Sequence, residues 1–124
     1  RIHPSGAVKP RGPYSPAVRA GDFIYVSGQG PTDPLQDRIV EFDIRPQTRQ
    51  TILNLQVILE AAGASLADVV KCSVFLKHAG DFQAMNEVYV EFFGAAPPAR
   101  TTVEAKFHNQ DMLIEINCVA YKPR

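Results

Sequence analysis

The spacing of apolar residues changes several times along the chain, and each change marks an element. Phe23-Ile24-Tyr25-Val26-Ser27 is dense in β-branched and aromatic residues and follows Ala17-Val18-Arg19 across the turn Ala20-Gly21-Asp22, which predicts a hairpin. Ser27-Gly28-Gln29-Gly30-Pro31 then stops the ladder, and the polar stretch to Phe42, with Asp33-Pro34 and Asp37, reads as an exposed loop. Asp43 has the character of an N-cap, and Pro46 is tolerable in a first helical turn. Ile52, Leu55, Ile58, Leu59 and Ala62 recur at helical spacing until Gly63 supplies a stop. Ser65 with Asp68 resembles the capping box of a short turn. Val69 to Leu76 alternates as a strand, with Val70, Cys72, Val74 and Leu76 expected on one face. Asp81 is expected to cap a second helix whose apolar side is Phe82, Met85, Val88, Tyr89 and Phe92, closed by Gly94. Two strands finish the chain, one within Pro97-Pro98-Ala99-Arg100-Thr101-Thr102-Val103-Glu104 and one from Met112 to Tyr121, joined by the polar loop His108-Asn109-Gln110-Asp111. The first sixteen residues, rich in Pro and Gly, read as an extended arm.

The order β-β-α-β-α-β-β predicts an α+β fold, a single mixed sheet with two helices on one face, in one domain over residues 1–124. Two helices cover one side of a sheet, yet the strands carry apolar residues on both parities. An apolar sheet face is poorly suited to water, so burial against other copies of the chain is expected.

Thirteen basic and thirteen acidic residues cancel, which leaves no electrostatic footprint for nucleic acid. No apolar stretch is long enough to span a bilayer, and a cytoplasmic protein is expected. Cys72 and Cys118 fall in strand-like segments without a CxxC spacing and read as two buried thiols.

The candidate chemistry lies on the last two strands. Arg100 carries a planar fork matched to a carboxylate or phosphate, and on a strand it is costly to desolvate unless an anion meets it. Glu115 is the single acid among the apolar residues of the final strand. By parity Arg100, Thr102 and Glu104 share one face, and Leu113, Glu115, Asn117 and Val119 share one face of the next strand. In a symmetric hairpin Glu115 would lie opposite Glu104, about 13 Å along the strand from Arg100. An Arg100–Glu115 site therefore calls for an asymmetric loop or a subunit interface, and the uncovered sheet face favours the interface. Other chemistry finds less support. His3, His78 and His108 lack companions at metal-ligand spacing, so no metal site is expected. Gly28-Gln29-Gly30 lacks the third glycine of a dinucleotide loop. Ser27 has no nucleophile-elbow pattern and reads by itself as a strand-end hydrogen bonder, and Tyr14 by itself as an anchor of the arm.

Taken in order, Gly12-Pro13-Tyr14-Ser15, Val26-Ser27-Gly28-Gln29, Thr48-Arg49-Gln50, Leu59-Glu60-Ala61-Ala62-Gly63, Asp81-Phe82 with Asn86, Pro98-Ala99-Arg100-Thr101 and Ile114-Glu115-Ile116 resemble the RidA family, also called the YjgF or L-PSP endoribonuclease family. The resemblance implies a chorismate-mutase-like (YjgF-like) α+β fold and a homotrimer with sites in the subunit clefts. It implies cofactor-independent hydrolysis of reactive enamine and imine acids to 2-keto acids and ammonia. It also implies that Arg100 holds the substrate carboxylate and Glu115 handles the water, with Tyr14, Ser27, Asn86 and Thr102 in the pocket. The chain departs from the family pattern at Pro16, Gly30, Thr102 and Asn117. Asp43-Ile44-Arg45, Asn86-Glu87-Val88-Tyr89 and Arg100-Thr101-Thr102-Val103 are also similar to the 2-aminomuconate deaminase branch. A carboxylate-binding module without catalysis and a ribonuclease are the remaining alternatives. The balanced charge and the lack of interleaved aromatic and basic residues argue against the second.

Overall fold

The computed structural model describes Ile2 and residues 4–124; His3 lies outside the described residues. Most elements stand where the periodicity puts them. Strand β1, Ala17–Ala20, turns at Gly21, whose φ of 61° suits glycine, into β2, Phe23–Gln29. Helix α1, Ile44–Ala61, is capped by the Asp43 carboxylate, which accepts from the Arg45 N–H at 3.0 Å, and Gly63 follows its end at φ 84°. The Asp68 carboxylate accepts from the Ser65 N–H at 2.9 Å and frames one short turn before β5, Val69–Leu76. Helix α2 spans Phe82–Phe93, and the chain closes with β6, Ala99–Glu104, and β7, Ile114–Tyr121.

Four local expectations change. The polar stretch after β2 contains a small hairpin, β3 (Thr32–Asp33) with β4 (Arg38–Ile39), rather than loop alone. Asp81 precedes α2 without a side-chain cap bond, because a turn over Ala79–Asp81 runs directly into the helix. Val70 is exposed and Val69 buried, since a register shift against β7 between Val69 and Lys71 displaces one residue. Phe93 rather than Phe92 is buried in the last turn of α2, and Phe82 in the first is exposed.

The larger correction concerns strand order. The five-stranded sheet runs β1-β2-β7-β5-β6, so β6 and β7 are not hairpin partners. β5 lies between them, antiparallel to β7 and parallel to β6, and α2 forms the crossover that a parallel pair needs. Both helices pack on one face of this mixed sheet. The core there joins Ile52, Leu55, Ile58 and Leu59 of α1 and Met85, Val88 and Tyr89 of α2 to Ile24, Val26, Cys72, Val74, Ile114, Ile116 and Cys118 of the strands. On the other face Phe23, Tyr25, Val103 and Tyr121 stay exposed.

Polar ties from α1 position the loops that flank the site. Asn54 Nδ2 donates to the carbonyls of Gly30 at 3.0 Å and Thr32 at 2.8 Å, which fixes the chain beyond β2. The fully buried Gln47 accepts from the Leu113 N–H at 2.7 Å and donates to the Asp111 carbonyl at 2.8 Å. It thereby sets the entry to β7, two residues before Glu115. Gln47→Ala removes the partner of a buried N–H and is expected to destabilise the fold by about 1–3 kcal/mol in urea unfolding. A loss below a few tenths of a kcal/mol would show that the loop finds its own way into β7.

Candidate functional site

Register settles where the two candidate charges lie. Cys72 of β5 is the partner of Arg100 on one side and of Cys118 on the other, while Phe75 is the partner of Val103 and Glu115. Cys72 and Phe75 are three residues apart, an odd number, so their ladders point to opposite faces of the sheet. Arg100 projects on the helix face and Glu115 on the outer face. Within one chain they are not brought together.

Around Arg100, β6 and α2 build a clamp. Its guanidinium carbon stands 4.7 Å from the centre of the Tyr89 ring and 5.4 Å from that of Phe82, and Nη1 lies 4.0 Å from the Met85 sulfur. Among the described residues no carboxylate pairs with it. Aromatic faces attract the cation without occupying the edge of its fork. Asn86 lies on the same stripe of α2 as Phe82, Met85 and Tyr89, and Thr102 is the next residue on Arg100's face of β6. Asn86 Oδ1, Thr102 Oγ1 and the Tyr89 hydroxyl are all buried and have no hydrogen-bond partner among the described residues. Beneath them burial raises the Cys72 thiol pKa, against a smaller opposing effect from Tyr89 and Arg100. Burial likewise pushes the Tyr89 hydroxyl up, with Cys72 adding to the shift. Cys118 is raised by burial and by Cys72. Both cysteines are free and buried, as thiols packed in a core are.

On the outer face Glu115 lies in an open cleft of about 1170 Å³. Tyr14, Gly28, Phe75 and Met112 line it beside the acid, and Lys9, Arg11, Arg38 and Lys106 stand around it. Glu115 has no ion-pair partner among the described residues, and burial alone raises its pKa above the ordinary carboxylate value. Arg11, which could have neutralised it, is held by Asp37 at 2.7 Å, a contact that ties the N-terminal arm to the β3–β4 hairpin. Tyr14 is half exposed, and its hydroxyl accepts from the Arg11 N–H at 3.4 Å. Ser27 is differently engaged. Its hydroxyl donates to the Ser15 carbonyl at 2.6 Å and its N–H to the Pro16 carbonyl at 2.9 Å, so it fastens the arm.

The six residues expected at a site thus divide into two groups on opposite faces: Arg100, Asn86 and Thr102, and Glu115 with Tyr14. Ser27 stands apart as a brace. Helical spacing predicts Phe82, Met85 and Tyr89 in the core; Met85 and Tyr89 are buried there and also face the guanidinium, whereas Phe82 is exposed and covers only the guanidinium. Phe82 carried one available signal, its place in the first turn of a helix directly after Asp81. Among the described residues no group of three or more His, Cys, Asp or Glu side chains gathers at a metal-binding distance. No helix among them is long and apolar enough to cross a membrane.

Comparison with known proteins bears on this geometry. The family model described as endoribonuclease L-PSP matches residues 5–122. A RutC family protein of Pyrococcus horikoshii is 52% identical over 121 residues, covering 98% of this chain and 96% of its own length. A protein of Dermatophagoides farinae named 2-iminobutanoate/2-iminopropanoate deaminase is 37% identical, covering 91% of this chain and 88% of its own. The crystal structure of RidA from an Antarctic Psychrobacter superposes with a TM-score of 0.92 at 37% identity, covering 97% of both chains. The fold, the ordered motifs and these matches agree: the chain belongs to the endoribonuclease L-PSP family, the RidA/YjgF family.

Proposed function

We propose that the protein hydrolyses reactive 2-enamine and 2-imine acids to 2-keto acids and ammonia, in a site shared between neighbouring copies of a homotrimer. The observation that carries this reading is the free Arg100 fork, held between two aromatic rings beside the buried, unpartnered Asn86 Oδ1 and Thr102 Oγ1. Such a set lacks an anion with a polar nitrogen next to it, which is what a 2-imino acid offers. The relative named 2-iminobutanoate/2-iminopropanoate deaminase supports the same substrate class.

The chemistry follows from the groups. Arg100 grips the carboxylate through two N–H donors and so fixes the adjacent C=N carbon. Asn86 Oδ1 accepts the imine N–H. Glu115 of a neighbouring copy orients a water and takes its proton as the oxygen adds to that carbon. The nitrogen takes that proton to give the carbinolamine, which collapses to the keto acid as Glu115 relays the hydroxyl proton to nitrogen, the C–N bond breaks and ammonia leaves. An enamine enters the same sequence after tautomerising to the imine. The raised pKa of Glu115 favours this work, since a more basic carboxylate is a better proton acceptor. The segments Asp43-Ile44-Arg45 and Arg100-Thr101-Thr102-Val103, similar to the 2-aminomuconate deaminase branch, favour a second reading, a longer acid such as 2-aminomuconate. A higher kcat/KM on that substrate than on 2-iminobutanoate would select it.

Arg100→Ala is expected to abolish imine hydrolysis with the fold intact, and Arg100→Lys to restore little, because an ammonium lacks the bidentate fork. A dehydratase-coupled assay reads this directly, and wild-type turnover in either variant would make Arg100 structural.

Glu115→Gln should lower turnover by roughly 10²-fold while keeping keto-acid binding, whereas a binding module would keep its full function. In the wild type kcat/KM should fall on the acid side with a midpoint above the ordinary carboxylate value, and Glu115→Gln should lose that limb. Stability has the opposite sign. A raised folded-state pKa means that the folded protein binds the proton more tightly than the unfolded chain, so this contribution is lost as pH rises through it. Glu115→Gln should therefore melt at the wild-type temperature or above it at neutral pH; a clear drop in Tm would mean that the carboxylate holds the fold.

The shared site has its own test. Sedimentation at micromolar concentration should give a trimer. Mixed trimers of Arg100→Ala and Glu115→Gln chains should regain activity, because some interfaces then carry both native groups. A monomer, or mixtures as inactive as the single variants, would place the two groups in separate sites.

A further inference from the structure

Four features converge on Gly28. β2 and β7 shift register between Val26 and Gln29: Val26 pairs with Cys118 and Gln29 with Ile116, so three steps on β2 match two on β7. The extra residue sends Gln29 inward, where it is 7% exposed, and leaves Gly28 in the cleft beside Glu115. A Cβ on Gly28 would lie 2.5 Å from Glu115 Oε2, 2.8 Å from Cδ and 3.2 Å from Cγ. Finally, Gly28 is not among the positive-φ glycines, which are Gly21, Gly63 and Gly94. Its backbone is one that other residues adopt, so the missing side chain, rather than conformational freedom, is what the position uses.

We infer that Gly28 is a positioning residue: the bulge in β2 offers a side-chain-free floor on which the Glu115 carboxylate lies, and this floor holds the acid in the cleft in its working orientation. The inference rests on the proposed role of Glu115 as the base. The carboxylate is the far end of a flexible side chain, so a methyl group at position 28 displaces it without moving the strands. The displaced carboxylate turns toward water. Its pKa then falls toward the ordinary carboxylate value, since burial is what raises it. A less basic and misplaced acid removes less of the barrier.

The test is a double-mutant cycle on the full-length protein, with 2-iminobutanoate hydrolysis as the kinetic readout. Gly28→Ala should lower kcat tenfold or more, move the acid limb of the pH profile downward, and leave 2-ketobutyrate affinity and Tm close to wild type. In the Glu115→Ala background the same change should have no further effect on residual turnover, because its whole effect passes through the acid. Titration of ¹³C-labelled glutamate carboxyls by NMR reports the position of Glu115 independently of activity and should show its pKa lowered in Gly28→Ala. Unfolding of Gly28→Ala, an equal loss of keto-acid binding and turnover, or an unmoved Glu115 titration would overturn the inference. A displaced titration with full turnover in Glu115→Gln would instead retain the floor and remove the base assignment, so the two failures are distinct.

Discussion

The register of β5 against its two neighbours governs the chemistry this chain can perform. Side chains on a strand alternate between faces, so a separation of three residues along β5 assigns the ladders through Cys72 and Phe75 to opposite sides. One ladder carries Arg100 into the helix layer, and the other carries Glu115 onto the outer face. Had β6 and β7 been hairpin partners, both charges would have stood on one face of adjacent strands, separated only along the strand direction. The parallel crossover through α2 removes that option. Each charge is instead left half-buried beside polar or aromatic groups that do not neutralise it.

Unneutralised charge near a core is expensive unless something tempers it. For Arg100 the faces of Phe82 and Tyr89 do so, with a geometry that leaves the edge of the fork open. For Glu115 the open cleft keeps some water in reach, and the remaining desolvation shows as a raised pKa. Two of the surface pairs, Arg45 with Glu87 and Arg49 with Glu91, bridge the exposed sides of the two helices and contribute little to stability. The pairing pattern is therefore uneven: exposed cations between the helices find acids, while the arginine inside the clamp does not.

Much of this was legible in the chain. Helix α1 announced its start through Asp43 and its end through Gly63, and the parity of Arg100 with Thr102 held because a strand's period is fixed by its own backbone. Strand order was not legible, since the loop of residues 105–113 connects β6 to β7 whether or not the strands are neighbours. Bulges also escaped: Val70 kept its apolar identity while a register shift turned it outward, and the shift at Ser27 and Gly28 recast a terminating glycine as a contact of Glu115. Nor could spacing reveal that Met85 and Tyr89 serve two purposes, because a core stripe and a guanidinium clamp have the same period. Ser27 looked like a pocket group through family resemblance, yet its hydroxyl is occupied by the Ser15 carbonyl.

The separation of Arg100 from Glu115 gains its meaning on the proposed reading. An arginine and a glutamate that can reach each other form a bidentate pair, which fills the fork and lowers the pKa of the acid. Both effects work against imine hydrolysis, where the fork must be free for a carboxylate and the glutamate basic enough to take a proton from water. Placing the two on opposite faces of one sheet prevents this collapse within a chain. Bringing them toward each other across an interface would leave the distance between them to the geometry of assembly, so that a small carboxylate and one water fill the gap. On that view the sheet acts as an insulator, keeping an acid and a base apart until substrate lies between them.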